Sequence, residues 1–294
     1  DMRIPLTPEA RAESLIEALP YIQRFRGQTF VVKYGGAAME EDQIVDRFLK
    51  DIVFLEAVGI NPVLVHGGGK VITTRMREAG LKPQFINGLR VTDEQSIGIV
   101  EQTLDSEINP KIVDTIVKFG GKARGFSGKS VFIARRIGPQ RKENGEQVDI
   151  GFVGEATTIE FRNVSSAIKD EMVPVISPIG ADDNGMVLNI NADVAAAALA
   201  SAIQAAKLIY VSDVPGIMRD PSSSDSLIPT VHCEQIEALI KHKVIDGGMI
   251  PKVQSASQAL RSGVEKVHMI GGNTQHCLLL EIFTNSGIGT EIVT

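Results

Sequence analysis

Two short apolar runs near the start of the chain each end in consecutive glycines, and one helical pattern separates them. The first, F-V-V-K-Y-G-G (residues 30–36), leads a lysine into a Gly-Gly pair. The second, V-L-V-H-G-G-G (63–69), ends in three glycines before a helix-like V-I-T-T-R-M-R-E-A. Between them, Ile44, Val45, Phe48, Ile52, Val53 and Leu55 recur at the spacing of one helix face, predicting a helix over 41–58. Strand, helix and strand in this order form a βαβ unit, which belongs to a parallel sheet covered by helices. The same alternation continues: apolar runs at 173–179, 207–212 and 267–270 read as strands, and the alanine-rich segment after Asp193 reads as a helix. The predicted class is α/β. The polar stretches 138–149 and 220–226 read as a hairpin tip and a surface loop.

In such sheets ligands lie beyond the carboxyl ends of the strands. Lysine is rarely buried unless paired, so Lys33 beside Gly35 and Gly36 suggests an anionic partner. Gly67, Gly68 and Gly69 before a helix offer unencumbered N–H groups and the positive end of a helix dipole, a cradle for phosphate oxygens. The plainer use of such glycines is a tight turn. S-D-V-P-G-I (212–217) suits either a nucleotide or a helix cap. In L-N-I-N-A-D (188–193), Asn189, Asn191 and Asp193 share one side if the chain is extended; otherwise Asp193 caps the helix that follows. Lys252, in D-G-G-M-I-P-K-V (246–253), repeats the context of Lys33, ahead of apolar Val253, Ala256 and Leu260.

Standard nucleotide fingerprints are missing. Ile72 stands where a dinucleotide motif needs glycine after Gly67 and Gly69, and G-F-S-G-K-S (125–130) fails as a P-loop because Ala123 replaces its first glycine. The segment after Ser130 also reads as strand. Composition narrows the remaining classes. With 30 Lys and Arg against 36 Asp and Glu and no long basic tract, nucleic acid is not an expected partner. Cys233 and Cys277 lack any disulfide or zinc spacing and read as reduced thiols. No apolar run is long enough for a membrane helix, and the opening residues lack a secretory core, so a cytoplasmic location is expected.

Taken in order, V-V-K-Y-G-G, V-L-V-H-G-G-G, N-G-L-R-V-T-D, L-N-I-N-A-D, S-D-V-P-G-I and G-G-M-I-P-K-V cover nearly the whole chain. Together they resemble the acetylglutamate kinases of the amino-acid kinase family. The glycine elements are shared with carbamate, aspartate, glutamate and uridylate kinases, whereas N-G-L-R-V-T with N-I-N-A-D points to the narrower group. Lys70 departs from the proline common there. The resemblance implies a three-layer αβα sandwich with a mostly parallel sheet and two lobes. Residues 1–26 would form a kinked oligomerisation helix, 27–202 the acetylglutamate and phosphoryl-transfer lobe, and 203–294 the ATP lobe.

It further implies transfer of the γ-phosphoryl group of ATP to the γ-carboxylate of N-acetyl-L-glutamate, an early step of arginine biosynthesis, with Mg2+ held mainly by phosphates and water rather than by a protein metal site. Lys33 and Lys252 would hold the transferring phosphoryl group, Asp193 would orient both ammonium groups and keep them charged, and Gly36, Gly68 and Gly69 would donate amides. Arg90 and Asn189, with Asn191, would bind acetylglutamate, and Ser212 and Asp213 the nucleotide. The alternatives are another kinase of the family or a non-catalytic amino-acid sensor.

At the N-terminus, Thr7 and Pro8 can start a helix whose apolar stripe is Ala12, Leu15, Ile16, Leu19 and Ile22, with a kink expected at Pro20 from its missing N–H. By default that stripe packs on its own subunit. The resemblance extends to arginine-inhibited members, hexamers built as trimers of dimers, some partnered by a PII-type regulator. On that basis Tyr21, His268, Glu281 and Gly287 would form an L-arginine site.

Overall fold

The computed structural model describes residues 7–39, 41–142 and 144–294. The opening residues 1–6, where a secretory leader was discounted, Glu40, and Glu143 of the polar hairpin lie outside the described residues. An eight-stranded sheet crosses the molecule in the order Thr230–His232, Thr290–Val293, Lys266–Gly271, Lys207–Ser212, Thr29–Tyr34, Asn61–His66, Val173–Ile176, Ala123–Phe126. Every neighbouring pair is parallel except Thr290–Val293 against Lys266–Gly271. The sheet is thus mostly parallel, as expected.

Its central strands are buried on both faces, which is why they read as unbroken apolar runs. Val31, Val63 and Leu208 pack with helices Ala192–Ala202 and Met249–Arg261 on one face. Val32, Leu64 and Ile209 pack with Asp42–Ala57, Glu94–Gln102, Asn109–Lys118 and Cys277–Ile282 on the other. These are the three layers. Side chains alternate along a strand, so Lys33 leaves on the same face as Val31, toward the two helices that begin at Ala192 and Met249.

Four further strands, Ile179–Ala181, Val187–Ile190, Val153–Ile159 and Phe132–Arg136, close into a small barrel around Phe132, Leu188 and Ile190. The sequence reading missed it, taking 173–179 as one strand. The run is broken between Ile176 and Ile179, because Pro178 has no N–H for a ladder; its carbonyl instead accepts from Ile190 N–H at 3.0 Å as the chain turns into the barrel. The predicted hairpin at 138–149 is present, Gln140–Arg141 pairing with Gln147–Val148.

Helix Pro8–Phe25 begins as expected, Thr7 Oγ1 accepting from Ala10 N–H at 3.2 Å, and it contains Pro20. Most of its stripe is left uncovered by the described residues: Leu15, Ile16 and Leu19 are 68%, 64% and 43% exposed, while Ile22 is half-buried. Among the described residues no helix is long and apolar enough to cross a membrane.

Candidate active site

The strand ends gather three ionisable groups at one point. Lys33 Nζ lies 3.1 Å from Asp193 Oδ1, and Lys252 Nζ lies 3.3 Å from Asp193 Oδ2. The side chains are only 12%, 11% and 15% exposed for Lys33, Lys252 and Asp193. Burial pushes the Asp193 carboxyl up, but the charges of Lys33 and Lys252 outweigh it and hold the group below its ordinary value. Burial lowers Lys252, and the nearby Lys33 charge adds to that; Asp193 opposes both without cancelling them. Asp193 thus favours the charged form of Lys252 against the burial that lowers it.

Asp193 is free for this work because it is not the helix cap. Asn191 Oδ1 accepts from Asp193 N–H at 2.9 Å and Val194 N–H at 3.2 Å, making Asn191 the N-cap of Ala192–Ala202. The extended chain stops at Ile190, so Asn189, Asn191 and Asp193 do not alternate along one strand as read from the sequence. They still line one cavity.

That cavity has a volume of about 270 Å³ and is bounded by Lys33, Asp193, Arg90, the glycines 35–36 and 67–69, and Asn189 with Asn191. Gly36 sits at φ +71°, and a Cβ there would lie 2.2 Å from Asp213 Oδ1, so glycine is required and Asp213 is brought against the first glycine turn. At Gly68 a Cβ would lie 2.7 Å from both Leu104 and Ile108. The second glycine turn joins the first through Gly67 N–H, which donates to Tyr34 O at 2.6 Å. His66, just before it, is neutral near pH 7: burial lowers it to about 4. Its Nε2 accepts from Asn109 and its Nδ1–H donates to Gly67 O.

Arg90 is buried, and among the described residues it has no carboxylate partner. Its Nη2 donates to Gly69 O at 2.7 Å and to Thr73 Oγ1 at 2.9 Å, and its guanidinium lies 4.6 Å from the Phe85 ring centre. Burial pushes it down from its ordinary value. Asn189 Nδ2 donates to Thr92 Oγ1 at 3.3 Å. Ser212, Asp213 and Lys252 are not part of the cavity lining; Ser212 ends the strand next to that of Lys33, with its Oγ donating to Val214 O. Lys70 is exposed on the first turn of its helix.

Tyr210 was overlooked in the sequence. It pairs with Lys33 across the strands, contacts Ser255 Oγ at 2.8 Å and donates to Asp193 O at 3.2 Å, and its ring lies 5.4 Å from Lys252 Nζ. It fastens both lysine-bearing elements to the helix of Asp193. A hydroxyl inside the apolar run K-L-I-Y-V was the available signal.

The four residues assigned to arginine also meet. Tyr21, His268, Glu281 and Gly287 border a second cavity of about 420 Å³, with Lys207, Lys266 and Glu291. His268 Nδ1 lies 2.7 Å from Glu281 Oε1, while Glu281 Oε2 accepts from Ile288 N–H at 2.6 Å and Gly289 N–H at 3.0 Å. Burial pushes Glu281 up, but these hydrogen bonds hold it below its ordinary value.

The profile of the Amino acid kinase family matches residues 28–271. The acetylglutamate kinase of Akkermansia muciniphila is 47% identical over 284 residues, covering 96% of this chain and 95% of its own. That of Archaeoglobus fulgidus is 45% identical, covering 95% and 98%. Among solved structures, N-acetylglutamate synthase from Neisseria gonorrhoeae complexed with coenzyme A and N-acetyl-glutamate superposes with a TM-score of 0.84 at 27% identity. The same synthase complexed with coenzyme A and L-arginine gives 0.79 at 28%. This chain spans 63% and 65% of the length of those two synthase chains.

Proposed function

The chain belongs to the amino acid kinase family, and from that premise we infer that it phosphorylates N-acetyl-L-glutamate with ATP. A γ-carboxylate oxygen attacks the γ-phosphorus, the bond to the β–γ bridging oxygen breaks, and N-acetyl-L-glutamyl 5-phosphate and ADP leave. Negative charge spreads over the transferring oxygens between two anionic reactants, so the protein's contribution is positioning and fixed positive charge. The observation that carries this is the convergence of Lys33 and Lys252 on Asp193 at the edge of a cavity that also holds Arg90.

Residues 27–202 supply the acetylglutamate side and 203–294 the nucleotide side. Lys33 and the amides of Gly36, Gly68 and Gly69 hold the migrating phosphoryl group, and Lys252, Ser212 and Asp213 meet the nucleotide. Arg90 takes the α-carboxylate of the substrate, exchanging neutral acceptors for an anion, and Asn189 and Asn191 complete that subsite. Magnesium fits as an ion carried by phosphate oxygens and water: both Asp193 oxygens are engaged by lysines, and among the described residues no three His, Cys, Asp or Glu gather to hold a metal. Its charge offsets that of the phosphates. The second cavity, with anionic Glu281 beside His268, is the L-arginine site of a feedback-inhibited enzyme.

One experiment tests substrate and inhibitor together: ADP release with ATP and N-acetylglutamate, glutamate, aspartate or carbamate, each with and without millimolar arginine. Acetylglutamate is expected to be turned over selectively and arginine to inhibit it. Preference for another acceptor defeats the substrate assignment; indifference to arginine defeats only the inhibitor site. Arg90→Lys is expected to raise the KM for acetylglutamate about tenfold, on the scale of one lost charged hydrogen bond, and to leave the KM for ATP nearly unchanged. Equal changes in both would refute its role.

A further inference from the structure

Three consecutive glycines have the greatest backbone freedom of any tripeptide, yet amides that stabilise developing charge must be held in place beforehand. Something outside Gly67–Gly69 has to hold them. Behind Gly68 runs a helix that widens midway: Glu94–Gln102 and Asn109–Lys118 are α-helical, and Thr103–Ile108 between them is π-helical. Such turns are rare and recur at functional sites. Leu104 and Ile108 of this turn are the groups that an added Cβ at Gly68 would strike at 2.7 Å.

The π-helical turn is fastened on both sides. Ser177, fully buried between the main sheet and the barrel, donates its hydroxyl hydrogen to Asp105 Oδ1 at 2.5 Å and accepts from Gly128 N–H at 2.9 Å. Asn109 Nδ2 donates to Val175 O at 2.9 Å and to His66 Nε2 at 3.1 Å, tying the end of the turn to the residue preceding the glycines. Reversion to α-helix would move each later residue by one position, about 100° around the axis. Helix Asn109–Lys118 could not then keep its packing, nor Asn109 its bonds to Val175 and His66, while Glu94–Gln102 kept its own; Leu104 and Ile108, four residues apart, share the face toward Gly68.

We propose that Asp105 and Ser177 are positioning residues for phosphoryl transfer: their hydrogen bond holds the π-helical turn, and through Leu104 and Ile108 the turn fixes the backbone at Gly68 and Gly69. This rests on the phosphoryl-transfer reading of the cavity. Asp105→Asn keeps an oxygen that accepts from Ser177, whereas Asp105→Ala does not. The test compares both, and Ser177→Ala, by steady-state kinetics and by amide hydrogen exchange of residues 66–72, with helix Met249–Arg261 as the internal reference. Asp105→Ala and Ser177→Ala should lower kcat at least about tenfold, the scale of a slightly misplaced catalytic group. Their KM for acetylglutamate should change much less, and exchange should quicken in 66–72 while the reference helix is unaltered. Asp105→Asn should retain most activity and protection.

Equal losses in Asp105→Asn and Asp105→Ala, or a lower kcat without faster exchange in 66–72, would overturn the proposal. So would loss of protection throughout the molecule in both alanine variants, which assigns the pair to fold stability alone. If the wild-type protein fails to phosphorylate acetylglutamate, the substrate assignment falls, and the exchange comparison still decides whether this pair holds the glycine turn.

Discussion

Replacing Lys33 by alanine is expected to lower turnover at least about a hundredfold, equivalent to ~3 kcal/mol of lost transition-state stabilisation. The ammonium group contacts Asp193 at 3.1 Å in a largely buried setting, where a fixed charge acts more strongly than in water. In the proposed role its interaction grows as charge moves onto the transferring oxygens, so kcat should fall more than either KM rises. The fold should survive: Val31 and Val32 keep the strand in both cores, and Asp193 retains Lys252 as a partner. Steady-state kinetics, with circular dichroism to verify folding, decide the matter. A folded variant within a few-fold of wild-type turnover would remove Lys33 from the reaction.

Asp193→Asn should be nearly as damaging for a different reason. The shape is kept, but two cations that shared one carboxylate are left facing each other in a buried site. Lys252 is already lowered by burial and by Lys33, with Asp193 as the leading opposing influence, so removing that carboxylate lowers it further. Turnover is expected to drop by roughly a hundredfold, the range of a lost preorganised charge contact. The lysine charge returns as pH falls, so the variant's activity relative to wild type should recover on acidification. A pH-rate profile of both proteins checks this. A deficit that is the same at every pH, or no deficit, would show that Asp193 does not govern the charge at residue 252.

Much of this site was legible because its parts sit at strand ends. An apolar run that stops at Lys33 and two glycines already says where the sheet ends and that an anion belongs there. Arg90 was identified through the motif resemblance rather than through any local physical signal, whereas Asn189 was first noted for its alternation with Asn191 and Asp193. Tyr210 and Ser177 went unnoticed because each is a single hydroxyl in or beside an apolar strand, and its partners, Asp193 and Asp105, are distant in sequence. The small barrel was hidden by strands as short as Ile179–Ala181 and by Pro178, which ends one strand before the next begins.

The exposed stripe on helix Pro8–Phe25 shows the limit of periodicity. The pattern of Leu15, Ile16 and Leu19 does specify an amphipathic helix, but it does not say which surface, if any, receives it. Likewise, the sequence reading offered Asp193 as the cap of the following helix and passed over Asn191, although both side chains can accept backbone N–H groups. The helix start at Ala192 decided it, leaving the aspartate for the lysines.

Sequence by itself determined the α/β class, the places where strands give way to glycine, and residue types suited to an anion, because periodicity and glycine tolerance are local properties of the chain. Tertiary structure decided which charges share a carboxylate and how the π-helical turn backs the glycines. Those outcomes depend on distances between segments far apart in sequence, set only when both faces of the sheet are packed.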